Sequence, residues 1–165
     1  MAADPRRGSA PRGPDVRPRY AERPVEFWST AAIRAALQSG DIETWQRIVV
    51  ALKRDPFGRT ARQVEEVLEG TQPFGISKAL SEVLTRTRAH LEANERVESS
   101  RHMRVLIDRS GLSGQEFASR IGVPPADLKD YLDGTVSPPA SLMIRMRRLS
   151  DRFVKLNAQR STETT

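Results

Sequence analysis

Cysteine is absent from the chain, which removes disulfides, thiolate metal sites and cysteine nucleophiles together. Aromatic residues make up only 5%, so any core has to be assembled from Leu, Ile, Val and Ala. That composition suits small helical bundles better than a broad β-sandwich. No apolar run approaches the roughly 20 residues that a membrane helix needs, and the N-terminus lacks the apolar stretch of a secretory signal. The two histidines, His90 and His102, stand alone, with no acidic or histidine partner at ligand spacing. No glycine-rich phosphate loop ending in Lys-Ser/Thr occurs, and no nucleophile elbow. Glu65, Glu66 and Glu69 read as the solvated face of a helix, and Trp28 and Trp45 as core aromatics. The expectation is a soluble, cytoplasmic, all-α protein that is not an enzyme and needs no metal or cofactor.

What is present is arginine, unevenly spread. The 165 residues carry a formal charge of +6. Residues 1–24 hold six Arg against three acids, residues 25–96 are balanced at ten and ten, and residues 97–165 hold eleven bases against eight acids. The excess therefore lies at the two ends, where a polyanion would be met. Residues 1–24, rich in Pro, Arg and Gly, cannot propagate a helix or offset ordering entropy. They read as a disordered basic tail, either an arm for DNA or a solvated leader.

Residues 25–97 read as a helical N-terminal module. Ser29 or Thr30 caps a helix through Leu37, stopped at Ser39-Gly40. Asp41 caps a second, with Ile42, Trp45, Ile48, Val49 and Leu52 at helical spacing. It ends at the turn Asp55-Pro56-Phe57-Gly58. Thr60 and Gln63 form a capping box for a third, with Ala61, Val64, Val67 and Leu68 inward. After Thr71–Gly75 comes a long helix, with Leu80, Val83, Leu84, Thr87 and Leu91 on one face, to about Glu95. Thr60–Glu69 and Ile76–Thr87 could form a helix-turn-helix, but their connection is long and a plain bundle fits better.

Residues 98–158 carry the sharpest punctuation. A helix with Met103, Leu106 and Ile107 inward ends at Ser110-Gly111. Ser113 and Glu116 form a capping box, opening a helix with Phe117, Ala118 and Ile121. Gly122 turns the chain, and Val123 precedes a helix with Leu128 and Leu132 inward, closed by Gly134. Ser137-Pro138-Pro139 starts the last helix, where Leu142, Met146, Leu149, Phe153 and Leu156 make a two-heptad seam. Beside it run Arg145, Arg148, Arg152 and Lys155, with Arg147 near. Residues 159–165 read as a disordered C-terminus.

The string Gly111-Leu112-Ser113, Glu116-Phe117-Ala118, Ile121-Gly122-Val123, Leu128 with Leu132, and Gly134 followed by Ser137-Pro138 resembles the helix-turn-helix of Cro/repressor-type (XRE-family) regulators, over about 50 residues. The segment before it is similar to the helical N-terminal part of some actinobacterial-type regulators. The resemblance implies a lambda-repressor-like bundle whose helix 125–133 is presented to the DNA major groove. Carried over by position, Pro125, Ala126 and Lys129 stand where bases are read. Gly114 occupies the place of a commonly contacting Gln, beside Gln115. Pro125 and Ala126 offer only apolar contact to a thymine methyl, whereas Lys129 suits phosphate or guanine. Asp127, Asp130 and Asp133 bring acid to the same helix.

The candidate DNA-binding set is therefore Gln115, Pro125, Ala126, Lys129, Arg145, Arg147, Arg148 and Arg152. The expected function is a sequence-specific regulator, repressor-like or antitoxin-like, working as a homodimer on double-stranded DNA. The alternative is a degenerate helix-turn-helix that serves as a protein–protein adaptor. Its partner would use the N-terminal module or residues 142–156.

Overall fold

Short polar side chains start the helices where the sequence has them ahead of apolar spacing. In the computed structural model, which describes residues 18–70 and 75–163, the Ser29 hydroxyl accepts from the Ala32 amide at 3.1 Å. It opens α1 (Thr30–Ser39). The Asp41 carboxylate accepts from the Thr44 amide at 3.2 Å and opens α2 (Ile42–Arg54). There follow α3 (Arg59–Gly70), α4 (Gly75–Ser110), α5 (Gly114–Ile121), α6 (Pro125–Leu132) and α7 (Ala140–Glu163). Among the described residues there is no strand, so the fold is all-helical. None of these helices is long and apolar enough to cross a membrane.

The chain divides into two units, residues 1–84 and 85–165. In the first, Trp28, Ile33, Ile48, Leu52 and Val64 are buried with Leu80 and Leu84 from the start of α4. Trp45 is half-buried against that core and its indole N–H donates to the Ala36 carbonyl at 3.0 Å. The expected Thr60–Gln63 capping box does not form. Thr60 lies inside α3 and is buried. Gln63 is buried as well, and its amide donates to the Trp28 carbonyl at 3.0 Å. Tertiary packing takes the glutamine because Trp28 has no helical partner for that carbonyl.

Part of the tail expected to be disordered is anchored instead. Tyr20 meets Trp28 edge-on, with ring centroids 5.0 Å apart. The Arg47 guanidinium stands 5.1 Å from the Trp28 centroid and donates to the carbonyls of Ala21 and Arg23 at 2.6 and 2.7 Å. One aromatic–cation stack and two charge-assisted bonds offset the ordering of this stretch. The basic residues before position 18, and the connection expected at 71–74, lie outside the described residues.

The second unit buries Met103, Leu106 and Ile107 of α4 with Phe117, Ala118 and Ile121 of α5. Leu128 of α6 and Leu142, Met146 and Leu149 of α7 complete the core. Two boundaries differ from expectation. No break occurs near Glu95: α4 is one helix through Ser110, and the division falls at 84/85 rather than 97/98. Residues 96–104 stay helical because they have work on α6, described below. At the other end α7 runs on to Glu163, where the hydroxyls of Ser161 and Thr162 donate to the carbonyls of Asn157 and Gln159. Those hydroxyls bond back to carbonyls of the preceding turn of the same helix.

Candidate nucleic-acid interface

The geometry around α5 and α6 begins with Ser113, whose hydroxyl accepts from the Glu116 amide at 3.2 Å. The other half of the expected capping box is missing. The Glu116 carboxylate turns along the helix to Arg120, accepting from Nη2 and Nε at 2.7 and 3.1 Å. A guanidinium one turn away offers it a stronger partner than a backbone amide does. Gly122 ends α5 at φ 74°, in the left-handed region where side chains are strained. Its φ lets Val123 donate its amide back to the Ala118 carbonyl at 3.0 Å. Pro124 and Pro125 then open α6 with no side-chain cap.

Leu128 is the buried side of α6, with Tyr131 and Leu132 half-buried. Gln115, Pro125, Ala126 and Lys129 are all exposed, so four of the eight expected contact residues face solvent on two adjoining helices. Lys129 is not free. It pairs with Asp133 at 2.5 Å, one turn on, and that bond, with the carboxylate's charge, raises its pKa above the ordinary lysine value. Asp127 and Asp130 are exposed alongside. The outward face of α6 is therefore net acidic.

A stripe on α4 holds the far end of α6. The Arg104 guanidinium and the Ser100 hydroxyl both donate to the Leu132 carbonyl, the former at 2.8 Å. Arg96 donates to the Gly134 carbonyl at 3.1 Å. These residues, spaced four apart on one face of α4, complement the carbonyl end of α6 both by bonding and by charge. Sequence reading missed them, although the spacing Arg96, Ser100, Arg104 is the signal that could have found them.

The α7 arginines divide. Arg145 donates to the Ile121 carbonyl at 3.1 Å, closing the end of α5. Arg148 and Arg152 stand with it, and with Arg120, around a depression of about 330 Å³ floored by Ile121 and Leu149. Arg147 is exposed but leaves α7 about a third of a turn away from that stripe, so it does not belong to the cluster. The seam beside the stripe is not available to a partner. Leu142, Met146 and Leu149 are 2%, 0% and 6% exposed within the unit's own core, and Phe153 packs on it under the Arg120 guanidinium, 4.9 Å from the ring centroid. Only Leu156 remains exposed. The protein-docking surface expected at 142–156 is thus corrected: α5 already covers most of it.

Among the described residues no group of three or more His, Asp or Glu is placed to hold a metal ion. Comparison of the chain with protein-family models, curated proteins and solved structures finds no match.

Proposed function

We propose that the protein is a DNA-binding transcriptional regulator, repressor-like or antitoxin-like, that meets double-stranded DNA as a homodimer through α5 and α6. The observation that carries this reading is the exposure pattern of α6. Leu128 is buried while Pro125, Ala126 and Lys129 face solvent, on a short helix joined to α5 by the Gly122 turn. An exposed, rigidly backed helix of this length fits a major groove. Arg148 supplies the sequence-independent attraction. As a repressor-type helix-turn-helix, the unit resembles the XRE family in the residues quoted above.

The test is selection of genomic fragments by the full chain at low and near-physiological salt. The expected result is a shared, roughly palindromic site, lost with Lys129→Ala and weakened across all sequences by Arg148→Ala. Retention of no shared site at either salt overturns the reading.

The acidic face of α6 favours a second reading, an adaptor that binds a basic protein segment. It predicts that Asp127→Asn with Asp130→Asn abolishes partner capture, whereas on the DNA reading the same change strengthens duplex binding by removing repulsion.

A further inference from the structure

The groove between α5 and α7 gathers four arginines. Arg120 reaches it from α5, and Arg145, Arg148 and Arg152 reach it from α7. Its acids are few and turned aside. Glu116 is bound to Arg120, and Asp151, next in sequence to Arg152, pairs instead with Arg109 at 3.2 Å. Arg148 and Arg152 have neither a hydrogen bond nor an ion pair to any described residue. They sit one helical turn apart, where like charges repel. Arg145 is fixed from behind by the Ile121 carbonyl, which holds one guanidinium in place without neutralising it. The floor, Ile121 and Leu149, is apolar, so a bound anion would lose water on that side and gain strength from each guanidinium.

We propose that this groove is a phosphate-binding site. Arg148 and Arg152 are the ligating pair, Arg145 is the fixed third charge, and Arg120 is a fourth held in reserve by Glu116. A tetrahedral oxyanion between α5 and α7 relieves the repulsion within the arginine stripe and competes with Glu116 for Arg120. Two sources share this chemistry: the backbone of a bound duplex, or a free phosphorylated ligand. Only the first source rests on the DNA reading above. The site itself does not involve α6.

Pyrophosphate is the probe, titrated by calorimetry into the full chain in phosphate-free buffer, with ionic strength held constant by chloride. One saturable site is expected. Affinity falls about tenfold for each of Arg148→Ala and Arg152→Ala, the loss of one charge-assisted contact. Glu116→Gln tightens binding several-fold, because Arg120 is released. Both arginines are exposed and unpaired, so unchanged melting curves will show that the variants fold. Absence of saturable binding overturns the proposal, as does equal affinity in the double arginine variant, or a Glu116→Gln variant that binds no tighter.

A labelled duplex then separates the sources. Displacement of the duplex by pyrophosphate supports the backbone as the ligand. Saturable pyrophosphate binding that leaves the duplex in place supports a free ligand. Pyrophosphate binding without any duplex affinity sinks the DNA reading and leaves the groove standing. Duplex binding that survives while pyrophosphate fails does the reverse.

Discussion

On the proposed DNA reading, base contact rests on Lys129, and its ammonium is engaged by Asp133. Because the lysine pKa is raised, the ammonium keeps its charge throughout the neutral range and loses it as pH rises through a value above the ordinary 10.5. Acidity at physiological pH will not free the lysine, but a substitution will. Asp133→Asn is expected to raise duplex affinity and to steepen the log–log salt dependence by about one contact. Fluorescence anisotropy across a potassium chloride series reads both, and an unchanged slope would mean that Lys129 does not reach phosphate. Gln115, Pro125 and Ala126 were legible as exposed positions because the buried residues Phe117, Ile121 and Leu128 fix the phase of α5 and α6. The Lys129–Asp133 pair was legible in its i,i+4 spacing, because Asp127 and Asp130, two residues before and one after, do not face the lysine on a helix.

At the scale of elements, α5 is held by a cap at each end. Ser113→Ala removes the acceptor for the Glu116 amide and is expected to cost about 1 kcal/mol. A methyl added at Gly122 meets no atom within 4 Å, so Gly122→Ala carries only the left-handed backbone penalty, about 1–2 kcal/mol. Denaturant unfolding measures both, and a neutral Gly122→Ala would show that the turn relaxes. Phe117 is wholly buried between α5, α4 and α7; Phe117→Ala is expected to cost about 3–5 kcal/mol and to take duplex binding with it. The seam on α7 shows the limit of periodicity. The spacing of Leu142, Met146, Leu149 and Phe153 requires a neighbour but does not say whether the neighbour is α5 or another chain.

For the molecule as a whole, the consequential difference is where the second unit begins. A fragment 85–165 keeps Arg96 with its bond to the Gly134 carbonyl, whereas a fragment 98–165, cut at the boundary the sequence suggests, loses it. It also loses residues 85–97, about three and a half turns of α4 ahead of Ser100. The longer fragment is expected to melt cooperatively and at a temperature several degrees higher, since about 1 kcal/mol shifts Tm by about 4–8 °C in a domain of this size. Circular dichroism melts of the two fragments decide it. Equal melting temperatures would mean that the stripe on α4 contributes nothing to holding α6.

The sequence by itself determined the helical class, the caps at Asp41 and Ser113, the turn at Gly122 and the inward faces of α5 and α6, while it left the first cap open between Ser29 and Thr30. All of these are local: they depend on residues within one or two turns, whose physics is the same in any surroundings. Tertiary structure alone decided which polar side chains leave their local partners. Gln63 goes to Trp28, Arg47 to the Ala21 and Arg23 carbonyls, and Arg96, Ser100 and Arg104 to the end of α6. It also decided that α4 does not break before Ser100. A buried carbonyl must find a donor from wherever the fold brings one, and the sequence distance to that donor, 35 residues for Gln63 and 38 for Arg96, leaves no periodic trace.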